Sequence, residues 1–191
     1  MNAVPGPAHA PQTAPAAQPS LKVKAPPAAK PAARAKPDLR ACIDPQNATK
    51  LARYVWNHAV GFTHRCYAFV YRAVKDVLGW DRRIPPGSAY QFAKSLNGNP
   101  KLMDKLKLRK IDPRTLPGGV PPVGAIVVYG RGMCGFSRKH GHIEIVVSNK
   151  PPQACSDGCM PMTSSRLRCI QTNSPKGFIS VYVPVRSPAG R

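Results

Sequence analysis

The hydrophobic positions of this chain change period part-way along it. Cys66, Phe69, Val70, Ala73, Val74, Val77 and Leu78 recur at helical spacing, which predicts an amphipathic helix with one core-facing stripe. Thr63 is its expected cap and Gly79 its expected stop. An earlier helix is predicted from Asn47 to Ala59, capped by Asn47 or Thr49 and ended by Gly61, with Leu51, Tyr54, Val55, His58 and Ala59 on one face. A short helix is expected near Ser88 to Leu96, with Tyr90, Phe92 and Ala93 available for packing. The basic stretch from Lys101 to Lys110 holds Leu102, Met103, Leu106 and Leu108 in a period that fits neither helix nor strand cleanly. Proline and glycine between Pro113 and Pro122 then predict a long turn region. Beyond it the apolar residues become contiguous or alternate. Strands are predicted at Val123–Tyr129 and His142–Val147, around Ile170 and Gln171, and at Phe178–Val185. Helices first and an antiparallel sheet afterwards predict an α+β fold.

Residues 1–40 interrupt this picture. They hold nine of the 23 prolines, twelve alanines, no isoleucine and no aromatic residue. Such a stretch buries too little apolar area to offset its chain entropy, so a disordered, basic, Pro/Ala-rich tail is expected at 1–40 and a single folded domain at 41–191. No apolar run reaches the roughly 18–20 residues of a membrane-spanning helix, and none near the start suits a standard secretory signal. The expectation is a protein made in the cytoplasm, and exported, if at all, by a route that needs no such signal. The 191 residues carry a formal charge of +21, so an anionic partner is expected. Nucleic acid is the first such partner to consider, but the Lys101–Lys110 run contains no aromatic residue for base stacking and no nucleic-acid-binding motif is present, which disfavours it.

The predicted elements single out two side chains. Cys66 falls in the first turn of its helix, where unpaired N–H groups and the helix dipole favour a thiolate, the nucleophilic form. His142 falls on a strand whose Ile143, Ile145 and Val147 face one side while His142, Glu144 and Val146 face the other. If the helix packs on that second face, thiol and imidazole meet, and a cysteine beside an imidazole is the minimum apparatus for acyl transfer at an amide. It requires neither metal nor cofactor. A third group ordinarily orients the imidazole. Glu144 is the only glutamate in the chain, but neighbours two apart on one strand stand about 7 Å apart and run parallel. Asp157 is therefore the preferred third residue and Glu144 the alternative. Six cysteines (Cys42, Cys66, Cys134, Cys155, Cys159 and Cys169) leave at least one more unpaired if Cys66 is free, and their connectivity is open.

Several stretches carry a resemblance. Arg65-Cys66-Tyr67-Ala68-Phe69-Val70 resembles the nucleophile helix of the papain-like cell-wall hydrolases of the CHAP and NlpC families. Pro122-Val123-Gly124-Ala125-Ile126-Val127-Val128-Tyr129 resembles the strand that precedes their histidine, and Gly141-His142-Ile143-Glu144-Ile145-Val146 their histidine strand. The order matches across residues 50–185. Two positions depart from the pattern: Ala125 replaces the usual aspartate, and Arg65 precedes the cysteine where aspartate is common. Cys155-Ser156-Asp157-Gly158-Cys159 is similar to amidase effectors of the type VI secretion system, in which an aspartate follows the histidine by a similar interval. The resemblance implies a papain-like fold with helices packed on the sheet, Cys66 and His142 as catalytic residues, and cleavage of an amide in peptidoglycan stems or cross-links. It further implies a secreted antibacterial effector or a lysin acting at the cell wall. Such a toxin implies a cognate immunity protein, with the tail a candidate contact for secretion machinery.

Cys155 and Cys159 admit two readings. As a disulfide they staple the loop that carries Asp157, as suits an oxidising compartment. As metal ligands they join Cys134, His140 and His142 in a zinc site, an alternative weakened by the absence of a second close cysteine pair. The remaining alternative is a basic nucleic-acid-binding or structural protein with Cys66 and His142 in its core.

Overall fold

The structure, a computed structural model, describes residues 42–80 and 87–186. The tail expected at 1–40 lies outside the described residues. Helix α1 spans Pro45–His58, two residues earlier than the pattern predicts, because Asp44 caps it. The Asp44 carboxylate accepts from the N–H groups of Gln46 and Asn47, and Pro45 suits the first helical position, where no N–H is needed. Helix α2 spans Cys66–Leu78 and stops at Gly79 as expected. Its buried stripe is Val70, Ala73 and Val74, but Thr63 is not its cap. Helix α3, Ala89–Asn97, begins with a capping box between Ser88 and Gln91. The ambiguous basic stretch divides into a short helix α4, Pro100–Lys105, and strand β1, Leu108–Ile111.

The remaining elements are β2, Ile126–Tyr129; β3, His142–Asn149; β4, Pro152–Cys155; β5, Cys159–Pro161; α5, Ser164–Asn173; and β6, Ile179–Pro184. The strand expected around Ile170 and Gln171 is instead helix α5. The strands form one antiparallel sheet in the order β1-β6-β2-β3-β4-β5. The architecture is α+β.

Period-two alternation gives the sheet two apolar faces. Ile126, Val128, Ile143, Ile145 and Tyr182 pack with Leu51 and Val55 of α1, Val70 and Val74 of α2, and Phe92 and Leu96 of α3. Val127, Tyr129, Val146, Val181 and Val183 form a second cluster with Ile170 of α5. The helix carrying Cys66 therefore lies on the Ile143 and Ile145 face, not on the face shared by His142 and Glu144. The expected packing is reversed, but Cys66 and His142 are each the first residue of their element. The two groups meet around the end of the sheet instead of through it.

Candidate active site

The approach to Cys66 is built by an aspartate distant in sequence that lines the same cleft. Asp157 Oδ2 accepts from Thr63 N at 2.7 Å, Arg65 N at 2.9 Å and Thr63 Oγ1 at 3.0 Å, while Oδ1 accepts from Ser156 Oγ at 3.0 Å. Its backbone carbonyl accepts from the N–H groups of Val60 and Gly61. Burial alone would push its carboxyl up, but the Arg65, Ser156 and Thr63 hydrogen bonds outweigh it and hold Asp157 below the usual carboxylate range. Between the two tethered N–H groups, His64 takes a left-handed φ of 60°, a conformation costly for a non-glycine residue. The result is a tightly bound turn that delivers Cys66, half-buried, to the start of α2.

His142 opens β3, 8% exposed, and lines the same cleft as Cys66, close enough for thiol and imidazole to interact. Its Nε2 lies 3.4 Å from Glu144 Oε2, an ion-pair approach rather than a fully aligned hydrogen bond. With Nε2 turned to the carboxylate, Nδ1 is the nitrogen left for the thiol. Burial opposes the imidazolium, but the Cys66 hydrogen bond and the Glu144 carboxylate outweigh it and push His142 up to about 9. Glu144 is itself almost wholly buried, and Tyr129 Oη donates to its Oε1 at 2.6 Å. Arg166, reaching in from α5, contacts Oε2 and donates through Nε to Tyr129 Oη at 3.1 Å. Burial pushes the Glu144 carboxyl up. Its contacts with His142, Arg166 and Tyr129 prevail and hold it below its ordinary value.

The expected third residue is thus displaced. Asp157 organises the turn before Cys66 and has no contact with the imidazole; Glu144 occupies the place beside it. The i, i+2 objection fails because a glutamate arm is long and two partners from other elements, Tyr129 and Arg166, hold it along the strand.

Cys66 and His142 line a cleft of about 610 Å³ together with Phe62, Tyr67, Phe136 and Met160, with Ser88, Ser137 and His140 adding polar groups. The first N–H groups of α2 have no intrahelical partner, which makes them candidate donors to an oxyanion formed at Cys66. A thiol, an imidazole and a carboxylate in this order can carry nucleophilic attack on a carbonyl and return a proton to the leaving group.

The zinc alternative does not survive the geometry. Cys155 and Cys159 are joined to each other, and His140 Nδ1 is engaged by Ser88 Oγ at 2.8 Å. No group of three or more metal-binding side chains is present among the described residues. A second disulfide joins Cys134 to Cys169, leaving Cys42 and Cys66 free. Tyr129, Phe136 and Arg166 were not singled out by the sequence pattern. Tyr129 had one signal: as the last apolar residue of its strand, it pairs in register with His142. No helix among the described residues is long and apolar enough to cross a membrane. The chain matches no family model, no curated protein and no solved structure.

Proposed function

We propose that this protein is a cysteine amidase or endopeptidase that cleaves an amide bond in the stem peptide or cross-link of peptidoglycan. The observation that carries the proposal is the Cys66–His142–Glu144 arrangement, with Cys66 and His142 lining a cleft and Glu144 buried beside the imidazole. The papain-like character and the peptidoglycan substrate rest on the resemblance of the nucleophile helix and the histidine strand to cell-wall hydrolases. In this reading His142 takes the Cys66 thiol proton, the Sγ thiolate attacks the amide carbonyl carbon, and the α2 N-terminus steadies the resulting oxyanion. The imidazolium of His142 then gives its proton to the leaving amine as the C–N bond breaks. His142 next takes a proton from water, whose hydroxide equivalent attacks the thioester, releases the acid and restores the thiol. Glu144 holds the imidazole throughout.

Two disulfides suit an enzyme that works outside a reducing cytoplasm. A charge of +21 suits a polyanionic cell wall, as it would suit any polyanion. In the effector setting, an acidic immunity protein covering the cleft of this basic chain is the expected partner, with delivery through the tail.

The deciding experiment digests purified sacculi with wild-type protein and with Cys66→Ala and identifies released muropeptides by mass spectrometry. Products from wild type alone support the reading and name the bond. Equal products from Cys66→Ala remove the mechanism. No products from wild type on walls of several chemotypes favour the nucleic-acid alternative. Binding of Cys66→Ala to sacculi is expected to weaken steeply as salt rises from about 50 to 200 mM. Undiminished binding in a pull-down at the higher salt would remove the role assigned to the charge.

A further inference from the structure

Phe136 stands outside the thiol–imidazole–carboxylate set, yet its ring lies flat on that of His142. The centroids are 4.1 Å apart and the planes differ by 16°. It follows the single turn Met133–Gly135, in which Cys134 adopts a left-handed φ of 52°. Its N–H donates to the Met133 carbonyl at 3.0 Å, and the Ser137 carbonyl beside it accepts from the N–H groups of Gly132 and Gly141. Its side chain is held from elsewhere in the fold. The Tyr129 ring packs against it at 4.6 Å, and the Arg166 guanidinium lies 5.1 Å from its centroid. Two residues before it, Cys134 is bonded to Cys169 of α5, the helix that also sends Arg166 to Glu144. The loop is thus fastened to the helix that backs the site from the other face of the sheet.

The groups facing His142 come from every side. Cys66 approaches from α2, Glu144 from its own strand, Tyr129 from β2 and Arg166 from α5 by way of Glu144, while His64, His140 and Asp157 line the shared cleft. Phe136 carries no titratable group, and its contribution is its face. An aromatic face is electronegative and attracts a cation lying on it, and a parallel stack also fixes the plane of the ring it covers.

We propose that Phe136 is a positioning residue, its ring holding the imidazole plane with Nδ1 toward Cys66 and favouring the imidazolium, and that the Cys134–Cys169 disulfide holds Phe136 in place. The inference rests on the reading of His142 as the acid–base group of the proposed activity. Breaking the disulfide by substitution then has the same consequence as removing the aromatic face, although neither cysteine touches the imidazole.

The test follows the His142 ring protons by NMR through a pH titration, the signal being assigned by its loss in His142→Ala. Wild type is compared with Phe136→Leu, Phe136→Tyr and the double variant Cys134→Ala/Cys169→Ala, with kcat measured alongside. Leucine fills the space without an aromatic face. The midpoint is expected to fall by roughly half to one pH unit in Phe136→Leu, with kcat down roughly 10- to 100-fold from the loosened ring. Phe136→Tyr keeps both. The disulfide-free variant reproduces the leucine result. A folded Phe136→Leu with unchanged midpoint and kcat overturns the proposal, and a disulfide-free variant that titrates like wild type overturns its second half. The titration needs no substrate. If wild type releases nothing from sacculi while its midpoint still depends on Phe136, the amidase reading fails and the positioning contact stands.

Discussion

Glu144→Gln is expected to lower turnover about 10²- to 10⁴-fold and to move the alkaline limb of the pH–rate profile downward. Glutamine keeps the volume, and its one amide oxygen can accept from Tyr129 or from Arg166 but not from both, and it removes the negative charge 3.4 Å from His142 Nε2. That charge is one of the causes holding His142 at about 9 against burial. The leaving amine needs a protonated imidazole, so activity falls as pH rises through the His142 value. Without Glu144 that value drops, and the fall begins at lower pH. The same substitution deprives the buried Arg166 of its counter-charge, and breaking a buried pair costs on the order of 3–5 kcal/mol. A chemical effect must therefore be separated from a loss of fold. The double variant Glu144→Gln/Arg166→Met removes both charges and should recover most of the melting temperature while remaining inactive. Recovered activity in the double variant would mean that Glu144 serves the fold alone.

Asp157→Asn supplies the contrast. Its carboxylate holds the N–H groups of Thr63 and Arg65 and does not touch the imidazole. The expected result is a modest loss of stability and turnover with the alkaline limb unmoved. A limb that shifts in Asp157→Asn and stays fixed in Glu144→Gln would reverse the assignment and restore Asp157 to the imidazole.

The difference between these two carboxylates shows where the sequence stops being informative. Local periodicity made α2 legible to its first and last turns, because a stripe at helical spacing has few other structural outcomes. It also made His142, Glu144 and Val146 legible as one face of a strand. Which helices would cover that face was not legible, since packing partners are chosen by the whole fold. Helix α5 was missed because it is polar apart from a little buried surface, including Ile170, and is secured by long-range contacts of Arg166 and Cys169. Strand β4, Pro152–Cys155, has no β-branched residue and is a strand because β3 pairs with it. The choice of Glu144 over Asp157 needed Tyr129 and Arg166 in view at once. The meeting of Cys66 and His142 was expected for the wrong packing and occurs because each begins its element.

Gly141→Ala should be severely damaging although it leaves every polar group of the site in the sequence. Gly141 sits immediately before His142 with φ +68°, a conformation unfavourable to any L side chain. An added Cβ would lie 2.2 Å from the carbonyl oxygen of Tyr129 and 3.2 Å from backbone atoms of Gly130. Those neighbours are backbone and cannot rotate aside. Relief requires β2 and β3 to part where Tyr129 pairs with His142, so the clash is discharged onto the imidazole and onto the residue that holds Glu144. Left-handed strain alone costs about 1–3 kcal/mol, and the backbone clash adds to it. The expected result is a sharply lowered melting temperature and, in whatever fraction remains folded, a loss of turnover of at least about 10²-fold from misplacement of His142. Gly177→Ala is the matched control, with φ +77° but nothing within 4 Å of the added Cβ. It carries the conformational penalty without the clash, so its melting temperature should fall modestly and its turnover hold. Equal effects in the two variants would show that left-handed strain, and not the close approach of β2 to the start of β3, is what the glycine before His142 relieves.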